Sequence, residues 1–89
     1  MSTEIYINHP NFGLLYRLCV IGNNEELFTT LYAQRLFFKV IIGTTNTRFE
    51  PLSRGEARIL MENKLRTLRG DGQWEAYKEI NKLYETTFQ

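Results

Sequence analysis

Cysteine and histidine each occur once in this chain of 89 residues, and proline twice. A single thiol, Cys19, excludes an intramolecular disulfide and a cysteine-rich metal knuckle, and it points to a reducing compartment. Net charge is almost absent too: 11 basic against 10 acidic residues leave +1, too little for a global field that gathers nucleic acid or an anionic membrane. No apolar run approaches the ~20 residues of a membrane span, and the opening Met1 to Tyr6 lacks the basic start and apolar core of a signal peptide. A cytoplasmic chain with no membrane partner is expected. Also missing are a nucleophile elbow, a phosphate-binding glycine loop, a metal-ligand cluster and a dinucleotide fingerprint. His9 precedes Pro10, where an imidazole helps close a turn, and Cys19 lies among apolar residues without an activating neighbour, so both take structural roles. No enzyme, cofactor or metal is expected.

What is present is enough apolar material to fold. Hydrophobic residues make up 43% and aromatics 13%, as in an ordinary globular domain. At this length a chain buries roughly 60 to 65 per cent of its unfolded surface, which leaves no room for a large internal active site. The densest stretch runs from Thr30 to Ile42, and its second half alternates: Leu36, Phe38, Val40 and Ile42 on one face, Phe37, Lys39 and Ile41 on the other. A strand apolar on both sides must be covered on both. Such a strand is either central in a sheet or covered on one side by something else, and with so little chain available a partner protein is a candidate for that cover.

Periodicity of two also marks Glu4 to Asn8, ended by His9-Pro10, and Phe12 to Ile21, where Phe12, Leu14, Tyr16, Leu18 and Val20 face one way and Leu15, Arg17, Cys19 and Ile21 the other. Gly13 permits a bend or bulge at the start of that strand. Turn chemistry at Gly22-Asn23-Asn24 leads into Glu25 to Ala33, where Leu27, Phe28, Leu31 and Tyr32 would also share a helical face; the β-branched Thr29-Thr30 favour a strand. Gly43 to Asn46 is a further turn, and Thr47 to Glu50 a short strand closed by Pro51. Five short strands joined by tight turns suit a small bent barrel of the SH3 or Tudor type.

At Ser53 the period changes to three and four. Ser53 and Glu56 match a capping box, followed by a stripe of Ala57, Leu60, Met61, Leu65 and Leu68 that should end at Gly70. Asp71-Gly72 can start a second helix with the stripe Trp74, Tyr77, Ile80, Tyr84 and Phe88, weakened near its end by Thr86-Thr87. The expected organisation is a barrel over 1–52 and a helical hairpin over 53–89, with helices at about 54–69 and 72–86.

Two binding surfaces suggest themselves. Arg54, Arg58, Lys64, Arg66 and Arg69 make the first helix basic enough for nucleic acid, although Glu56 and Glu62 are interleaved and Glu62 stands in the stabilising orientation towards Arg66, as on a solvated face. Tyr6, Tyr32, Gln34, Arg35 and Phe38 are of the types that dominate protein interfaces; equally, Phe38 can be core and Tyr32 the cap of a strand edge.

Longer motifs weigh on that choice. Asn8-His9-Pro10 with Phe12 to Arg17, then Thr30 to Phe38, then Arg48-Phe49-Glu50-Pro51, closely resemble the PipX family of cyanobacterial PII-interacting proteins, and the similarity continues through Arg54, Ala57-Arg58 and Glu62-Asn63 to Thr87-Phe88-Gln89. The resemblance implies a Tudor-like, KOW-type barrel followed by two helices. It implies a non-enzymatic adaptor that exchanges between the PII trimer, which holds it between extended T-loops when ADP is bound and 2-oxoglutarate is low, and the dimeric transcription factor NtcA, whose 2-oxoglutarate-bound form it stabilises as a co-activator. Both partners are implied to use overlapping surfaces of the barrel, with Tyr6, Phe12, Tyr32, Gln34, Arg35, Leu36 and Phe38 at the matching positions. The helical tail is left for other contacts, RNA polymerase among them. Two departures stand out: Lys39, where an apolar residue is expected after Phe37-Phe38, and the inter-helix segment Gly70 to Trp74.

Overall fold

Phe37 and Phe38 are adjacent, point in opposite directions and are both buried, at 2% and 4% exposure. The architecture follows from covering the two at once. The computed structural model describes residues 5–31 and 36–88. Five strands, β1 (Tyr6–His9), β2 (Gly13–Gly22), β3 (Glu25–Thr30), β4 (Phe37–Ile42) and β5 (Thr47–Leu52), precede two helices, α1 (Arg54–Gly70) and α2 (Trp74–Phe88). All strands pair antiparallel in sequence order, and the sheet curls into a half-barrel. The expected five-stranded barrel with a C-terminal helical hairpin is therefore what the chain builds. Pro51, expected to close the fifth strand, lies within it opposite Phe38; β5 is an edge strand, where a missing N–H is tolerated.

The curl separates the apolar side chains into two clusters. Leu15, Phe28, Phe38 and Val40 fill one, with Ile5, Ile7 and Phe49 packed against them. In the other, Leu18, Cys19, Leu27 and Phe37 of the sheet meet Ala57, Met61 and Phe88 of the helices. Both sides of β4 are thus covered within the chain, so the partner among the candidate covers is not needed there. The helical hairpin covers Phe37, and the curled sheet itself covers Phe38 and Val40. Lys39, the unexpected cation of this strand, stands opposite Glu50 and pairs with it at 3.5 Å.

Unbroken alternation along β2 would set Cys19 and Ile21 on the side of Leu15. Instead the register slips between Arg17 and Cys19; Leu18 and Cys19 are both buried, and Cys19 and Ile21 turn to the helix-facing cluster. One extra residue in a strand reverses the facing of all that follow it. Gly13 has φ 76° opposite His9, where the β1–β2 hairpin closes. At the β4–β5 turn a Cβ on Gly43 would stand 2.8 Å from the Asn46 carbonyl oxygen, so only glycine fits.

The capping box forms as expected: Glu56 N–H donates to Ser53 Oγ at 3.0 Å and Ser53 N–H to Glu56 Oε1 at 2.9 Å. Asp71 and Gly72 do not cap the second helix. They terminate the first, with Asp71 N–H bonded to the Thr67 carbonyl at 3.0 Å and Gly72 at φ 69°, so α2 starts at Trp74. It ends at Phe88 rather than near 86, because Thr86 Oγ1 bonds back to the Lys82 carbonyl at 2.9 Å and Thr87 and Phe88 are buried. Trp74, expected on the packed stripe, is 53% exposed. None of the described helices is long and apolar enough to cross a membrane.

The second helix is docked. Phe88 stacks on Phe37 with ring centroids 5.3 Å apart, and the Arg54 guanidinium lies 5.1 Å from the Phe88 ring centre. Further along, the Tyr84 hydroxyl donates to Glu62 Oε2 at 2.6 Å, while Arg58 Nε donates to Glu62 and to the Tyr84 oxygen, both at 3.1 Å. The Tyr84 hydrogen bond, followed by that of Arg58, lowers the Glu62 pKa. A carboxylate with a lowered pKa stabilises the fold at pH values above its ordinary range and loses that contribution as pH falls through the folded value.

Replacing Phe88 with Ala is expected to cost about 3 kcal/mol in urea unfolding, because it empties the site beneath Phe37. Below the ordinary glutamate value of 4.5, the protection factors of the α2 amides, taken against the intrinsic exchange rate at each pH, should fall, and the fall should be smaller in Glu62→Gln.

Candidate partner-binding face

The β1–β2 turn is built around the one histidine. His9 Nδ1 accepts hydrogen bonds from the backbone N–H groups of Asn11 at 3.0 Å and Phe12 at 3.3 Å, so the imidazole closes its own turn as the His-Pro sequence leads one to expect. Its ring also lies 4.9 Å from Phe12, 5.1 Å from Phe38 and 4.7 Å from Phe49, centroid to centroid. Phe12 itself is 5.5 Å from Phe38 and remains 49% exposed. An exposed aromatic held this way loses little conformational freedom when a partner covers it.

A second anchor lies across the sheet. Thr30 N–H donates to the Leu36 carbonyl at 3.0 Å, Leu36 N–H donates to Thr30 Oγ1 at 3.0 Å, and Thr29 Oγ1 donates to the same carbonyl at 2.9 Å. Both threonines are buried. Together they clamp the two ends of the segment that carries Tyr32, Gln34 and Arg35. Leu31 and Leu36, one on each side of that segment, are 42% and 36% exposed, and Leu31 N–H bonds to the Leu14 carbonyl at 3.2 Å, two residues from Phe12.

The proposed binding residues fall into distinct places. Phe12 and Phe38 meet directly, but Phe38 is buried and supports Phe12 from below. Leu36 is exposed at the start of β4. Tyr6 is 42% exposed and its ring lies 5.4 Å from that of Tyr16, its cross-strand neighbour. On β1 it points away from the side of Ile5 and Ile7, hence away from the Phe12–Phe38 pair. Tyr32, Gln34 and Arg35 lie outside the described residues. Leu31, Thr29 and Thr30 were not singled out from the sequence. The two threonines count there only as β-branched strand formers, although buried hydroxyls must find acceptors and a loop base offers them.

The basic residues of α1 do not form one cationic face. Arg54 donates to the Thr87 carbonyl at 3.3 Å, Arg58 is held by Glu62 and Tyr84, and Arg66 donates to Asn63 Oδ1 at 3.0 Å. Lys64 points elsewhere, towards β2. Burial pushes the Cys19 thiol up to about 11 against the pull of Lys64 and Arg17, so it stays protonated near neutral pH and is not a nucleophile. Among the described residues no three His, Cys, Asp or Glu side chains gather as metal ligands.

A family model described as PipX, PII-interacting protein X, matches residues 3–88 of the chain. No curated protein matches it.

Thr30→Val keeps the shape of the side chain and removes the acceptor for the Leu36 N–H. It is expected to lower stability by about 1 to 2 kcal/mol and to speed exchange of the Leu36 amide well beyond that of its neighbours in β4, as read by NMR.

Proposed function

The chain belongs to the PipX family, whose members are regulatory proteins that interact with PII, and we propose that it acts as a non-enzymatic adaptor shared between PII and the transcription factor NtcA. In this role it stabilises the 2-oxoglutarate-bound form of NtcA as a co-activator and is sequestered by PII when ADP is high and 2-oxoglutarate low. The Tudor-like portion over 1–52 supplies the binding face. The helical portion over 53–89 is left for a further contact, with RNA polymerase as the candidate.

The observations that carry the proposal are three exposed apolar side chains on built supports: Phe12 against Phe38, and Leu31 and Leu36 at the two ends of a hydrogen-bonded loop base. Exposed apolar side chains flanking a segment whose sequence carries a Tyr and an Arg have the composition of an interface centre. Tyr32, Gln34 and Arg35 belong to the proposed face by their place in the sequence between Leu31 and Leu36; Phe38 backs Phe12, and Tyr6 contributes from the outer side of β1. One shared surface suffices for the switch. Each partner changes shape with its own ligands, and each ligand state alters the relative affinity of PII and NtcA for the same patch, so metabolite sensing passes through the adaptor by competition. A nucleic-acid role draws less support from α1, where Arg54 and Arg58 are bonded to α2 and to Glu62.

Binding to immobilised PII tests the proposal, first with ADP and then with ATP plus 2-oxoglutarate, at near-physiological salt. Capture with ADP and release in the second mixture is the expected result, together with a loss of about 2 kcal/mol or more for Arg35→Ala, since an Arg paired with a buried carboxylate is costly to remove. Equal capture in both mixtures would overturn the exchange mechanism. An unchanged affinity for Arg35→Ala would remove that residue from the interface.

A further inference from the structure

A recess of about 580 Å³ lies away from the proposed partner-binding residues, between β2, the later turns of α1 and α2. That is the scale of a pocket for one small molecule, typically about 300 to 1,000 Å³. Its apolar walls come from Leu18 and Val20 of β2, Leu68 of α1, and Ile80 and Leu83 of α2. The β2 bulge makes room for it, since Leu18 and the following residue both turn towards the helices.

The charges around this recess do not balance. Lys64, half-buried on α1, and Lys82 on α2 line it, and neither has an ion pair among the described residues. Lys64 shares the lining with the buried Cys19. Of the other charged groups on the walls, Arg17 is paired with Glu26 at 3.3 Å, and Glu79 is exposed on α2. A half-buried ammonium without a carboxylate beside an apolar trough calls for an anion. The shape argues for a small one. Among the apolar residues on the walls only Val20, at 39%, is substantially exposed, whereas a protein partner needs roughly 800 Å² on each side.

We propose that this recess binds a free medium-chain or long-chain alkyl carboxylate, its chain along Leu18, Ile80 and Leu83 and its carboxylate against Lys64 and Lys82. The site is separate from Phe12, Leu31 and Leu36, so the chain can hold such a ligand whether or not PII is bound.

Decanoate titrated into methyl-labelled and amide-labelled protein, well below its micellar range, tests this by NMR. Saturable shifts confined to Leu18, Ile80, Leu83 and the Lys64 amide are expected, with affinity reduced about three- to tenfold in Lys64→Gln, as the loss of one partly screened ion pair predicts, and similarly for decanol against wild type. Ile80→Trp, which fills the trough, should abolish the shifts while its amide spectrum remains that of the folded protein. If Ile80→Trp does not fold, the decanol comparison and Lys64→Gln decide alone. Shifts spread over the whole surface, or equal affinity for decanol, would overturn the proposal. So would the same methyls moving only with protein concentration, which assigns the recess to a second copy, or only with an acidic amphipathic peptide, which assigns it to a protein partner.

Discussion

Two neighbouring phenylalanines that must be buried on opposite sides of one strand set the terms for everything else in this protein. Alternation along β4 forces Phe37 and Phe38 apart, and each is large enough that leaving it in water would forfeit about 2 kcal/mol or more. The sheet curls to enclose Phe38, while Phe37 requires a cover from outside the sheet. The helical hairpin is that cover. This makes α2 a structural element of the core: Phe88 sits on Phe37, Tyr84 and Arg54 pack around Phe88, and the Arg58–Glu62–Tyr84 bonds fasten the helix pair.

The same division sets the proposed binding residues Phe12 and Leu36 apart from the helical hairpin. On the Phe38 side, His9 joins Phe12, Phe38 and Phe49 into one aromatic group, so the exposed Phe12 rests on a buried foundation. Beside it, Thr29 and Thr30 pin the loop base with three hydrogen bonds to the backbone of Leu36 or from it. Interface residues on such supports are pre-organised, and pre-organisation gives affinity without added area. On the Phe37 side lies the hairpin, and the recess beside β2 opens there.

Most of the fold was legible because its signals are local. Alternation, the turn residues at Gly22 to Asn24 and Gly43 to Asn46, and the Ser53–Glu56 box each act within a few residues. The misread features depend on what is far away in sequence. A bulge at Leu18 leaves no mark in the pattern, since Leu18, Cys19 and Ile21 are apolar whichever way they face. Asp71-Gly72 can start a helix or end one, and the choice falls to α1 because its final carbonyls need donors. Trp74 matches the α2 stripe by spacing yet lies beyond the end of the sheet-facing cluster. For the binding face, residue types pointed to the loop, but which of them are surface and which are foundation was decided by tertiary burial. Phe38 and Phe12 look equivalent in sequence and are not. Buried threonines supporting a loop carry no signal beyond β-propensity.

Pro51 has a consequence for how partners can meet this protein. It lies in the edge strand β5, where it removes a backbone donor, and Arg48 and Glu50 flank that edge with charge. Edges marked in this way do not recruit additional strands. Recognition along β5 by backbone pairing, which accepts almost any extended peptide, is therefore closed. The proposed binding residues accordingly act through their side chains rather than through a strand added along β5. Such an interface can be retuned by single substitutions, and it discriminates between competing partners where a generic ladder of backbone hydrogen bonds could not.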